Sequence, residues 1–169
     1  MNENSLQPSQ SNNDYHPQLD GLGGWLIILA ISILISPIIL SYTIIDAISE
    51  LRPLWEPLTS PQSPYYIDGL ATLVTTELTV NALFTLLFLY IIFLFFTKHR
   101  YFPKFLIFAL VTNLLFLLVD DFWVKMILSP YTETDDPEDL RDILLSGIRC
   151  VIWIPYLLNS KRVKSTFRH

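Results

Sequence analysis

Leu140–Leu158 reads LRDILLSGIRCVIWIPYLL, and whether it crosses a membrane decides the fold. A hydrocarbon core of roughly 30 Å needs about 20 helical residues, so the length is right. The composition works against it, with Arg141 and Asp142 at its start and Arg149 inside. A central arginine costs about 2.5–3.5 kcal/mol on the translocon scale, and each central Leu, Ile or Val returns about 0.3–0.6 kcal/mol. Ile143, Leu144, Leu145, Ile148, Val151, Ile152, Ile154, Leu157 and Leu158 therefore roughly cancel Arg149 and do little more. A span balanced this closely needs a polar partner on a neighbouring helix.

The neighbours are plain to see. The chain has 169 residues, 51% of them hydrophobic and 14% aromatic, gathered into long runs, and this excludes an ordinary soluble domain. Three further runs of spanning length cover residues 22–42, 78–96 and 102–119. The expected fold class is all-α, an integral membrane bundle of four transmembrane helices over residues 21–160. A disordered polar tail (1–20) precedes it and a basic tail (161–169) follows. Residues 1–20 lack the Lys/Arg region of a signal peptide, so no cleavage is expected. A single cysteine, Cys150, rules out an intrachain disulfide and reads as a small packed side chain.

The entrance glycines Gly21, Gly23 and Gly24 lack the strand and spacing of a nucleotide loop. They read instead as a close-packed helix entrance, with Trp25 as an interfacial anchor. Pro37 should kink the first helix and free a carbonyl, while Ser32 and Ser36 share one of its faces.

The connections segregate charge. Asp46–Glu77 is acidic and broken by Pro53, Pro57, Pro61 and Pro64, whereas Lys98-His99-Arg100 makes a tight basic link between the second and third spans. Ile127–Asp139 is acidic again, but it lacks the ligand spacing and glycine of a calcium loop, and Asp136-Pro137-Glu138-Asp139 reads as a helix start. Placing both termini and the basic link on one side puts seven Lys/Arg there and three on the other. The positive-inside rule then puts both termini in the cytoplasm.

Polar residues within the spans form stripes. Glu77, Asn81 and Thr85 recur every four residues on the second helix, Ala109, Asn113, Phe116 and Asp120 line the third, and Arg149, Trp153, Tyr156 and Ser160 the fourth. At 1.5 Å per residue, Asn113 and Arg149 both lie about 15 Å from the cytoplasmic ends of their spans, with Asn81, Glu77 and Asp120 further out. A buried polar network of Glu77, Asn81, Asn113, Asp120 and Arg149 is expected, with Arg149 held by Asn113 and by Glu77 or Asp120. Such a network either fixes helix packing or lines a cavity open to the outer face.

His16, His99 and His169 lie in a tail, a loop and a terminus, remote from the outer acids. No catalytic residue, metal site or cofactor is expected. The partner is the lipid bilayer, with a membrane protein or a second copy as further candidates and no nucleic acid.

Gly21-Leu22-Gly23-Gly24-Trp25-Leu26, Phe95-Phe96-Thr97-Lys98 with Phe102-Pro103, and Trp153-Ile154-Pro155-Tyr156 with Ser160–Phe167 resemble domain-of-unknown-function family 2569. The resemblance covers about Gly21 to Phe167 and implies a bacterial inner-membrane protein of four spans. It brings no activity, substrate or site residue. The sequence reading favours a non-catalytic accessory or interaction component of that membrane. The alternative is a small-solute or proton-linked transport or binding protein built around Arg149 and Glu77.

Overall fold

The computed structural model describes residues 23–131 and 137–168. The polar tail 1–20, the entrance residues Gly21 and Leu22, the proposed Asp136 cap and His169 lie outside the described residues. The described residues form six helices: α1 (Trp25–Leu51), α2 (Trp55–Thr59), α3 (Leu70–Phe96), α4 (Phe102–Leu128), α5 (Pro137–Asn159) and α6 (Lys161–Thr166). Of these, α1, α3, α4 and α5 are long and apolar enough to cross a membrane, so the molecule is an all-α bundle of four spanning helices.

The helices run further than their apolar cores. α1 continues from Tyr42 to Leu51 and α4 from Val119 to Leu128, while α3 begins at Leu70, straight after the Asp68-Gly69 turn and ahead of its apolar run. Hydropathy ends a run at the first charges, but backbone hydrogen bonding does not. A helix of 27 residues is about 40 Å long, so each of the three overshoots the hydrocarbon by a turn or two. Glu77, Asp120 and Asp121 are thereby held on rigid helix rather than in loops.

α1 packs along α3, α3 along α4, and α4 along α5, while α1 and α5 barely meet. The bundle is thus closed on three sides and splayed along the fourth. Two dry clusters hold it. One occupies the end that carries Gly23, the α3–α4 link and α6, where Leu26, Leu29, Phe88, Ile91, Phe95, Phe102, Leu106, Trp153 and Leu157 are buried together. The other caps the opposite end, with Leu70, Leu73 and Val74 packed against Leu58 of α2 and against Trp123 and Ile127 of α4.

The α3–α4 link is a built turn. Lys98 takes a left-handed conformation (φ 52°), with His99 N–H donating to Leu94 O (2.9 Å) and Lys98 N–H to Phe95 O (3.1 Å). This pair of bonds is the Schellman closure, which satisfies the last carbonyls of α3. Pro37 does not end α1. Ser36 Oγ donates to Ser32 O and Ser41 Oγ to Pro37 O, while the carbonyl that loses its helical donor to the proline is that of Ile33.

The basic C-terminal segment, read from the sequence as a tail, is part of the fold. Ser160 caps α6 by accepting from Val163 N–H, and Val163, Ser165, Thr166 and Phe167 are buried. The Phe167 ring stacks on Phe102, centroids 4.3 Å apart, and also touches Phe95. α6 therefore plugs this end of the bundle. The side chain of Arg162 lies over Gly23, and a Cβ there would meet only the end of that flexible side chain.

Candidate functional site

Between the two dry clusters lies a cavity of about 320 Å³. It is lined by Glu77 and Asn81 of α3, Asn113, Asp120 and Asp121 of α4, Asp142 and Arg149 of α5, and Thr43 of α1. All five residues selected from the sequence, Glu77, Asn81, Asn113, Asp120 and Arg149, line this one space. Their positions follow from helix geometry. Glu77 and Asn81 of α3 and Asn113, Phe116 and Asp120 of α4 are half-buried and line this space on their period-four stripes, whereas Arg149 of α5 lines it with an exposed side chain.

The α4–α5 interface is stitched by residues that sequence analysis passed over or read only as packing. Ser146, 3% exposed, donates from Oγ to Asn113 Oδ1 (3.2 Å), and Cys150 Sγ donates to Leu110 O (3.4 Å). Ser146, Cys150, Trp153 and Leu157 form the buried line of α5, a spacing of four, three and four that was legible in the sequence. Arg149 stands one position off that line. Its side chain is exposed and lines the cavity, while the hydrogen bond Asn113 makes across the interface goes to Ser146.

The chamber has an acid excess. Four carboxylates line it (Glu77, Asp120, Asp121 and Asp142) against one guanidinium, Arg149. Asp121 is paired with Lys125, one helical turn on, at 2.9 Å. Asp142 and Thr43 were missed as lining residues because one looked like a helix-entry charge and the other lay just beyond the first apolar run.

A second cavity, also about 320 Å³, adjoins the first. Ile39, Leu40, Asn113 and Arg149 line both, so these four form the waist between them. Beyond the waist the walls are apolar: Leu29 and Ile33 of α1, Phe88 of α3, Leu106 and Leu110 of α4 and Trp153 of α5, relieved by Ser32 and Ser36. Its lining includes the exposed Ile31 and Ile35 of α1, which places its mouth on the splayed side between α1 and α5.

Among the described residues no group of three His, Cys, Asp or Glu is arranged to hold a metal ion. His99 sits in the α3–α4 link, where Nδ1 accepts from Tyr101 N–H, at the end remote from the carboxylates. What the chamber offers is ion pairing and hydrogen bonding to a small charged group, next to an apolar cleft.

Residues 19–168 match the family described as "Protein of unknown function (DUF2569)". No curated protein and no solved structure matches the chain.

Proposed function

The chain belongs to the DUF2569 family, and we propose that it is a non-catalytic multi-pass membrane protein whose polar chamber binds a small charged or zwitterionic solute. In this reading the membrane is the bacterial inner membrane, both termini are cytoplasmic, and the chamber faces outward. The charge bias of the loops supports that threading, with Lys98, Arg100, Lys104 and the basic C-terminal segment at one end and the acidic connections at the other.

One observation carries the reading. Glu77, Asn81, Asn113, Asp120 and Arg149 line a cavity of about 320 Å³, whereas residues serving only as interhelical glue would be expected to close on one another and leave no space. The volume lies within the range of small-molecule sites, about 300–1,000 Å³. Ionisable groups at membrane depth that line a shared space are those of binding and transport paths. The accessory reading draws on the broad apolar faces of the helices, but lipid alone accounts for those.

Native mass spectrometry of protein purified in mild detergent tests the proposal. Wild-type protein is expected to retain a small non-protein mass that is lost from Arg149→Gln and Glu77→Gln variants of unchanged helicity. A stoichiometric protein subunit with no small mass would overturn it and favour the accessory reading.

A further inference from the structure

We propose that the ligand of the chamber is a zwitterionic amphiphile, with its ammonium group among Glu77, Asp120 and Asp142, its anionic group on Arg149, and an apolar chain in the cleft between α1 and α5. This rests on the chamber binding a small charged or zwitterionic solute, and it names the class.

The order of groups along the two cavities sets the class. From the distal cap toward α6, the walls change from carboxylate to amide and guanidinium at the waist, and then to hydrocarbon. A ligand that satisfies every segment carries a cation, an anion next to it, and an apolar chain, in that order. A soluble amine would meet the carboxylates but leave Arg149 and the cleft unused. An anionic amphiphile would meet Arg149 and the cleft but face Glu77, Asp120 and Asp142 across the chamber. A zwitterion whose anionic group lies between ammonium and chain fits both.

Lengths and access agree. From Ile39 at the waist to Leu29 the cleft follows α1 for about 15 Å, at 1.5 Å per residue. This is enough for a substantial part of one acyl chain. α1 and α5 barely meet, so such a molecule can enter sideways from the bilayer without passing through water. A second chain would remain outside, against the exposed Ile31 and Ile35. In this pose the head lies near the level of Arg149 and Asn113, deeper than a bilayer headgroup, and a charged group at that depth needs the countercharges found there. Ser32 and Ser36 donate their hydroxyl protons to their own helix carbonyls, Ile28 O and Ser32 O, and offer the cleft no donor.

Trp153 lines the cleft and gives it a reporter. The full chain, with Trp25, Trp55 and Trp123 changed to Phe, is reconstituted in phosphatidylglycerol vesicles. These contain a fixed mole fraction of either phosphatidylethanolamine or phosphatidylglycerol with brominated acyl chains. The expected result is stronger quenching of Trp153 by the brominated phosphatidylethanolamine, with that preference lost in Arg149→Gln and in Ser36→Phe, which fills the cleft. Equal quenching by the two lipids, or none, overturns the inference. Water-soluble phosphoethanolamine distinguishes the two levels of failure. If it protects a thiol placed at Asn81 while the lipids quench equally, the chamber reading stands and the amphiphile fails; if it also gives no protection, both fail.

Discussion

The two halves of the bundle solve opposite problems with the same helices. Toward α6 the core is dry and aromatic: Phe95, Phe102 and Phe167 meet ring to ring, Leu26 and Ile91 are wholly buried, and the C-terminal segment folds back as a lid. Toward α2 the same four helices part around carboxylates, amides and a guanidinium, and α1, α3 and α4 close again at the small cap of Leu70, Leu73 and Val74. Stability is therefore concentrated in one half and ionisable chemistry in the other. The dry half fixes the helix positions that hold the polar half open.

The largest effect is expected where the dry half is densest. Phe167→Ala removes a ring buried against Phe102 and Phe95 and should cost about 3 kcal/mol, in the range for buried phenylalanine. Reversible unfolding in mixed micelles measures it. A cost no greater than that of truncating exposed Phe122 would remove α6 from the core and weaken the contrast.

A gain of up to about 1 kcal/mol is expected from Lys98→Gly, because the left-handed turn position at φ 52° suits glycine and strains lysine. The same unfolding assay reads it, and a loss of stability would show that the link is held by the lysine side chain. Ser146→Ala sharpens the comparison from the polar side. It deletes the bond to Asn113 and should cost about 0.6 kcal/mol, the usual worth of an interhelical hydrogen bond in a membrane. A cost of several kcal/mol would make the chamber wall a stability element after all.

The smallest effect lies outside the spans. Tyr66 donates its hydroxyl to Asp68 Oδ1 at 3.1 Å, and that bond, with the nearby carboxylate charge, holds the phenol above its ordinary value of 10.0. The folded-state value is raised, so the contribution is present below the unfolded value and is lost as pH rises through the folded one. Ultraviolet titration should show one late tyrosine that moves back toward the ordinary range in Asp68→Asn; an unchanged curve would remove the bond.

The spans and their polar stripes were legible because a few polar residues at helical spacing stand out against Leu and Phe. Glu77, Asn81, Asn113, Asp120 and Arg149 needed only the period of 3.6 residues and the rise per residue to be placed near one another. Whether they would touch or enclose a space depends on how far apart the helices sit, which no local pattern records. The docking of α6 left a faint trace, Val163 and Phe167 four apart among lysines and arginines, that positive charge at a membrane exit obscured. Ser146 was passed over because a lone serine in an apolar helix carries no charge to draw attention.

On this reading water reaches the chamber of the polar half and is excluded from the aromatic core beneath α6. Single cysteines at Asn81 and at Leu94, each in a Cys150→Ala background, test this by reaction with a polar maleimide added to membranes opened to the reagent on both sides. Labelling is expected at position 81, with its loss when Phe116, on the chamber wall, is replaced by a bulkier tryptophan, and none at position 94. Equal protection of both positions would contradict it.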